Sequence, residues 1–246
     1  DQLVIFEGGL KRGPSPSGTY YDPVDIAPYL TKGTNTIAVL LWHFGKDGFS
    51  HINSGKAALL FEAIAPGLEI VSDASWQCAL YEAYQNTEAP FPNYRMPESN
   101  IRFDARQAIT NWNRTSFEGS LPGAVCVGKA GKAPFGELVE RPIPQWKNSG
   151  LLSYVSVRES LRGDTLFCRL PYNAQITPYL KVEAEAGKTI HIRMDNYEGG
   201  SERNVRAEYI TREGEQEYES YGWMNGHEVY YIIPEGVKVL DVKYRE

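Results

Sequence analysis

Hydrophobic residues in this chain cluster in short runs bounded by glycine, proline, asparagine and serine, and no stretch sustains the 3.6-residue period of an amphipathic helix. That pattern predicts an all-β protein. It is clearest in the second half, where strands are expected at residues 180–183, 189–194, 205–211, 216–221, 228–233 and 237–244. Side chains on a strand repeat with period two, so Ile190, Ile192 and Met194 should point inward and Thr189, His191 and Arg193 outward. Glu213-Gly214 reads as a two-residue turn that needs positive φ, and a hairpin there sets Arg212 against Glu215 and Tyr209 against Tyr218. Val205, Ala207, Tyr209 and Tyr218 then share the core face. Glu215, Glu217 and Glu219 line the opposite, solvated face, because charged residues are almost always exposed.

The first half is organised differently. Residues 36–42 (TIAVLLW) are apolar without alternation, which predicts a strand buried on both faces. Before it, one short helical turn is expected over residues 25–30, capped by Asp25 and short enough to tolerate Pro28, and Gly33 and Asn35 then reverse the chain. Runs at 3–6, 57–64 and 68–71 read as further strands, and 101–104 as a return to the first sheet. Residues 86–100, with Pro90, Pro92 and Pro97, suit a long surface excursion, and 128–144 a crossover between two units. The resulting organisation is 1–128, a linker at 129–150, and 151–246. Short strands and frequent turns in both units predict two consecutive antiparallel β-sandwiches.

Composition narrows the function classes. A net charge of -6 and a pI near 5.4 disfavour a polyanionic partner, so no nucleic acid is expected. Nowhere do 18 apolar residues run together, and no signal-peptide pattern opens the chain, so no membrane partner is expected either. Cys78, Cys126 and Cys168 are spaced too widely for zinc knuckles or a redox CxxC pair and read as buried free thiols. Neither a phosphate loop nor a serine-centred elbow occurs. Both ends read as cut, with an apolar run starting at residue 3 and a strong strand closing at 244, which is the pattern of a piece of a longer protein.

The turn Lys11-Arg12-Gly13, the step Tyr21-Asp22 and the spaced run Asp25, Leu30, Gly33, Asn35 and Ile37 form one ordered series. With it, residues 13–57 resemble the N-terminal galactose-binding-like sandwich of bacterial α-L-rhamnosidases, glycoside hydrolase family 78. Ser72-Asp73-Ala74-Ser75-Trp76, Phe103-Asp104-Ala105-Arg106 and residues 136–144 (GELVERPIP) look like later signatures of the same module. Residues 178–192 (PYLKVEAEAGKTIHI) and 208–246 look like the concanavalin-like sandwich that precedes the catalytic barrel. The resemblance implies a galactose-binding-like jelly roll at 1–128, short of its first strand, followed by a concanavalin-like sandwich at 151–246. It also implies a catalytic (α/α)6 barrel on the same polypeptide, rhamnosylated glycans as substrate, and a periplasmic or secreted location. No residue here is assigned a catalytic role, since the family's carboxylates sit in that barrel and this chain lacks the long amphipathic helices to build one. The alternatives are a stand-alone carbohydrate-binding protein or a structural adhesin segment.

Two sets of residues are candidates for contact with ligand or neighbouring domain. The loop 42–56 (WHFGKDGFSHINSGK) offers aromatic faces and hydrogen-bonding groups suited to a sugar, with Trp42, His43, Lys46, Asp47, His51 and Asn53 the expected binding residues. The competing reading is that it packs against its surroundings. In related modules a loop near this place holds rhamnose with calcium. Asp47 and Asn53 are the nearby oxygen ligands of that kind, fewer than the roughly six to eight calcium takes, so no metal or cofactor is assigned and calcium stays open. Trp223 and His227 form the second set, an aromatic shelf or an interdomain contact.

Overall fold

The computed structural model describes residues 4, 15, 17–45, 47, 53, 55–87, 100–133, 135–195 and 206–246. Its first strands are β1 (Gly18–Tyr21), β2 (Glu62–Ala65), β3 (Leu68–Val71), β4 (Tyr84–Asn86), β5 (Ile101–Asp104) and β6 (Glu137–Glu140). They are followed by β7 (Ser156–Glu159), β8 (Thr165–Ala184), β9 (Thr189–Met194), β10 (Arg206–Ile210), β11 (Gly214–Glu219), β12 (Met224–Ile232) and β13 (Val237–Arg245). Apart from 3-10 turns at Ala27–Tyr29 and Ala105–Gln107, the regular structure of the described residues is all β, as the hydrophobic pattern predicts. The chain forms two compact units, one of Asp1–Ile5, Leu10–Leu80 and Ile109–Gln145 and one of Phe6–Gly9, Tyr81–Ala108 and Trp146–Glu246.

In the first unit β1 pairs in parallel with β6, a strand that falls within the residues read as linker, and β2 and β3 form a hairpin. Pro66-Gly67 closes that hairpin, with φ +76° at Gly67, the geometry that the second central position of a type II turn demands. Arg141 Nε meets Asp22 Oδ1 at 2.6 Å beside the β1–β6 pair. The turn is only Ala27–Tyr29 and its N-cap is Ile26, which makes no side-chain cap bond, although the Asp25 carboxylate accepts from the Ala27 N–H at 3.0 Å; the Asn35 side chain both accepts from and donates to the Thr31 backbone as predicted. The run 36–42 is different from its expectation. It forms no strand, and Val39, Leu40 and Leu41 are 43%, 39% and 41% exposed. A strand exists only where a neighbour completes its hydrogen bonds, and none pairs with 36–42 among the described residues. The predicted strand at 3–6 lies outside the described residues except for Val4.

The second unit is a β-sandwich that contains every buried apolar residue among those described. Its two layers share one strand. The first part of the 20-residue β8 pairs with β7 and β12 in a sheet that continues through β9, β10, β5 and β4. Its last part pairs with β11 on one side and β13 on the other. A straight strand of that length would run roughly 65 Å, far longer than a domain whose radius of gyration is of order 14 Å, so it must bend. It bends in two places. Arg169 and Ala174 oppose Glu228 and Gly226, which leaves His227 alone against the intervening bulge around Pro171. Residues 176–180 are then buried without interruption where the strand passes between layers, which is why ITPYL lacks alternation. Only the end of β8, residues 180–183, is visible as a strand from pattern alone, because Pro171 and Pro178 interrupt the rest.

Inner faces follow the predicted alternation, with Ile190, Ile192, Met194, Ala207, Tyr209 and Tyr218 all buried. Val205 lies outside the described residues. Thr189, His191 and Arg193 face the other way but are half-buried, while Glu215 and Glu217 are exposed as expected. The 213–214 hairpin is corrected by the structure. β10 pairs with β9 and β5, whereas β11 pairs with β8, so the chain crosses between layers at Gly214, whose φ is +85°. Tyr209 and Tyr218 still meet, stacked at 4.7 Å, because they face each other across the sandwich. The buried Gln216 amide makes this crossing feasible: its oxygen accepts from Tyr209 Oη and Arg212 N, and its nitrogen donates to the carbonyls of Arg212 and Gly214.

β5 corrects a further expectation. It does not join the first unit's strands but pairs in parallel with β10, and Phe103 stacks on Tyr218 at 5.3 Å. On the other side of β10, Glu208 is 3% exposed and receives Arg102 Nη2 at 2.6 Å and Arg206 Nε at 3.1 Å, with His191 Nδ1 at 3.5 Å. Burial pushes its pKa up, but His191, Arg102 and Arg206 outweigh burial and hold it down to about 2. Of the three free cysteines only Cys168 is buried, and burial pushes its thiol up to about 12; Cys78 and Cys126 are exposed, contrary to expectation, in the unit that has no buried apolar residue among those described.

Replacing Gln216 with Ala should lower unfolding stability by about 3 kcal/mol in urea melts, against about 1 kcal/mol for Tyr209→Phe, which removes one of the four bonds. Because Glu208 has a folded pKa near 2, below its unfolded value near 4.5, its contribution is complete above that unfolded value and is lost as pH falls toward 2. Urea melts across that window should show the wild type losing more stability on acidification than Glu208→Gln.

Candidate functional site

Among the described residues of the predicted binding loop, two side chains bond to loop backbone. Asp47 Oδ1 accepts from Asn53 N at 2.8 Å, and Asn53 Oδ1 accepts from Gly55 N at 2.9 Å, so the structure brings these two residues together. Gly45 and Gly55 both take φ of +80° to permit the turns. Trp42 and Phe44 are half-buried and His43 is exposed, whereas Lys46 and His51 lie outside the described residues. Asp47 Oδ1 and Asn53 Oδ1 thus each orient loop backbone. Among the described residues no three His, Cys, Asp or Glu side chains gather as a metal ion would require.

Trp223 and His227 do different things. The Asp195 carboxylate accepts from the backbone N–H of His227 at 2.7 Å and of Glu228 at 3.1 Å, and its second oxygen lies 3.3 Å from His227 Nδ1. This arrangement stitches the part of β12 that faces the β8 bulge to the end of β9. A Cβ at Gly226 would press on Asp195 Oδ1 and displace that carboxylate. His227 serves that stitch and does not line the cleft in which Trp223 sits.

That cleft has a volume of about 340 Å³ and is lined by Trp146, Gln175, Ile176, Thr177, Trp223 and Arg245, with Lys147 and Glu246 at its edge. β8 supplies its floor at Ile176, 1% exposed, immediately before the strand changes layers. β13 supplies Arg245, whose guanidinium is held by Glu219 through Nε–Oε1 at 2.6 Å and Nη2–Oε2 at 2.9 Å while Nη1 donates to Asn148. Glu219 also accepts from Thr177 Oγ1 at 3.1 Å, and Tyr172 Oη donates to the Glu246 carboxylate at 2.7 Å. The Glu219 carboxylate and its charge raise the Arg245 pKa, with burial opposing. Arg245 and Thr177 of the cleft are thus fixed in place by Glu219.

Sequence reasoning found Trp223 but not its partners. Trp146 sits in a segment without periodicity, and Arg245 and Gln175 are separated from it by 99 and 29 positions, so only the folding of β8 and β13 unites them. The buried Glu208 cluster was also missed. Its signal is present in the alternation of Arg206 and Glu208 on one strand face, yet which strands lie beside that face depends on pairing.

No protein-family model matches the chain, and no curated protein matches its sequence. Solved structures do. Over 80% of its length the chain is similar to 25% of an α-L-rhamnosidase from Aspergillus terreus, at 16% identity and a TM-score of 0.54. It is also similar over 73% of its length to 20% of an α-L-rhamnosidase from Dictyoglumus thermophilum, at 22% identity and a TM-score of 0.49. A third, from Streptomyces avermitilis and complexed with L-rhamnose, matches 72% of this chain with 17% of its own, at 18% identity and a TM-score of 0.49. The chain therefore spans a quarter or less of these proteins. Because the first of the three is fungal, the likeness is not confined to bacteria. At these identities it is a likeness of fold, and the chain has the all-β fold of a partial region of an α-L-rhamnosidase.

Proposed function

We propose that this chain is the non-catalytic β-sandwich portion of an α-L-rhamnosidase-like glycoside hydrolase acting on rhamnosylated glycans, where it supports a catalytic (α/α)6 barrel of the same polypeptide. The observation that carries this reading is the fold match to one quarter of the Aspergillus terreus enzyme.

The chemistry of the carboxyl groups supports a structural role. An inverting glycosidase needs one carboxylic acid that stays protonated near neutral pH and a second carboxylate roughly 6.5 to 9.5 Å away to activate water. Every described carboxyl with a displaced pKa is displaced downward: Asp73 by Ser75, Asp104 by Arg106, Asp164 by Ser160, Glu215 by Lys181, and Glu208 by the surrounding cations. A depressed pKa removes the proton that a general acid must donate. These groups fix backbone turns and bind cations, which is the work of a scaffold.

The purified 246-residue chain should show no turnover of an aryl α-L-rhamnoside, while a polypeptide that joins it to a helical barrel should hydrolyse that substrate. A rate from the chain alone, abolished by one of its own carboxylate-to-amide substitutions, would contradict the proposal.

A further inference from the structure

We infer that the Trp146–Trp223 cleft of the second unit is a binding site for a neutral pyranose. The inference rests on the rhamnosidase reading only for the choice of first sugar to test. Three features of the cleft favour such a ligand. Two indoles present apolar surface of the kind on which the C–H face of a sugar ring stacks. The volume of about 340 Å³ falls in the size class of small-ligand sites, enough for one or two sugar rings. The polar groups around that surface are fixed or available: Arg245 and Thr177 are oriented by Glu219, and the exposed Gln175 amide, with both donors and an acceptor, has no hydrogen-bond partner among the described residues.

Charge decides against an anionic or cationic ligand. Lys147 and Arg245 are matched by Glu219 and Glu246 around the same cleft, and the Arg245 charge is already neutralised by two short hydrogen bonds. A charged ligand would find no unbalanced counter-charge, whereas the hydroxyls of a neutral sugar can share these donors and acceptors. In the loop at Trp42, Asp47 Oδ1 and Asn53 Oδ1 bond to loop backbone.

The whole chain should be titrated with L-rhamnose, L-fucose and D-glucose, followed by tryptophan fluorescence and calorimetry. At least one sugar should saturate a single site with a Kd on the order of 1 mM, as befits one monosaccharide. Trp223→Ala should weaken binding at least tenfold, and Gln175→Ala, at an exposed position that leaves the fold intact, several-fold. Trp42→Ala should leave binding unchanged. Absence of saturation by about 50 mM for all three sugars, equal affinity in the Trp223 and Gln175 variants, or loss of binding in Trp42→Ala would each overturn the inference. Aryl rhamnoside hydrolysis by the barrel-containing polypeptide is read separately. Hydrolysis without cleft binding removes this inference alone, and cleft binding without hydrolysis removes the rhamnosidase reading alone.

Discussion

The second unit depends on one strand belonging to two sheets. The early residues of β8 are a central strand of one layer, and Tyr179 to Ala184 lie between β11 and β13 in the other. Neither layer can therefore be removed without breaking the ladder of its neighbour. Tyr231 reinforces this connection from the opposite direction. Its hydroxyl on β12 donates across the core to the Tyr179 carbonyl at 3.0 Å and lies 2.8 Å from Tyr154 Oη. A phenol buried that deeply stays neutral, since burial drives its pKa far above the ordinary value, and so it remains a donor at any physiological pH.

The chain crosses the same gap repeatedly. It leaves β8 in one layer for β9 in the other, then passes from β10 to β11, back to β12 and across again to β13. At two of these crossings a particular side chain satisfies the backbone. Gln216 completes the crossing at Gly214. Thr211 completes the one after Ala184, accepting from Lys188 N and donating to the Glu185 carbonyl. The aromatic stack of Phe103, Tyr209 and Tyr218 fills the space between these corners. The cleft at Trp146 and Trp223 sits beside the β8 crossing, so its geometry inherits the rigidity of the core.

How much of this was visible in the chain depends on what each signal encodes. Alternation encodes which way a side chain points, and it placed Ile190, Ile192, Met194 and Tyr218 correctly. It does not encode which strand lies alongside, so the Tyr209–Tyr218 contact was foreseen with the wrong pairing and 101–104 with the wrong unit. Hydrophobicity without alternation is weaker still. It described both 36–42, which is exposed and unpaired with any described strand, and 176–180, which is buried at a crossing. Local devices were the most readable of all, because Asp25, Asn35 and Gly214 act on backbone within a few residues of themselves. The candidate cleft was least readable, since residues from positions 146, 175, 223 and 245 converge only through tertiary structure.

Native-state hydrogen exchange on β8 tests the central claim most directly. If one strand locks both layers, amides of Arg169 and Leu180, in its two parts, should exchange only through the same global opening, with equal free energies that fall together in denaturant. Exchange of either part at a markedly lower free energy, with the other still protected, would contradict the account by showing that the two layers open independently.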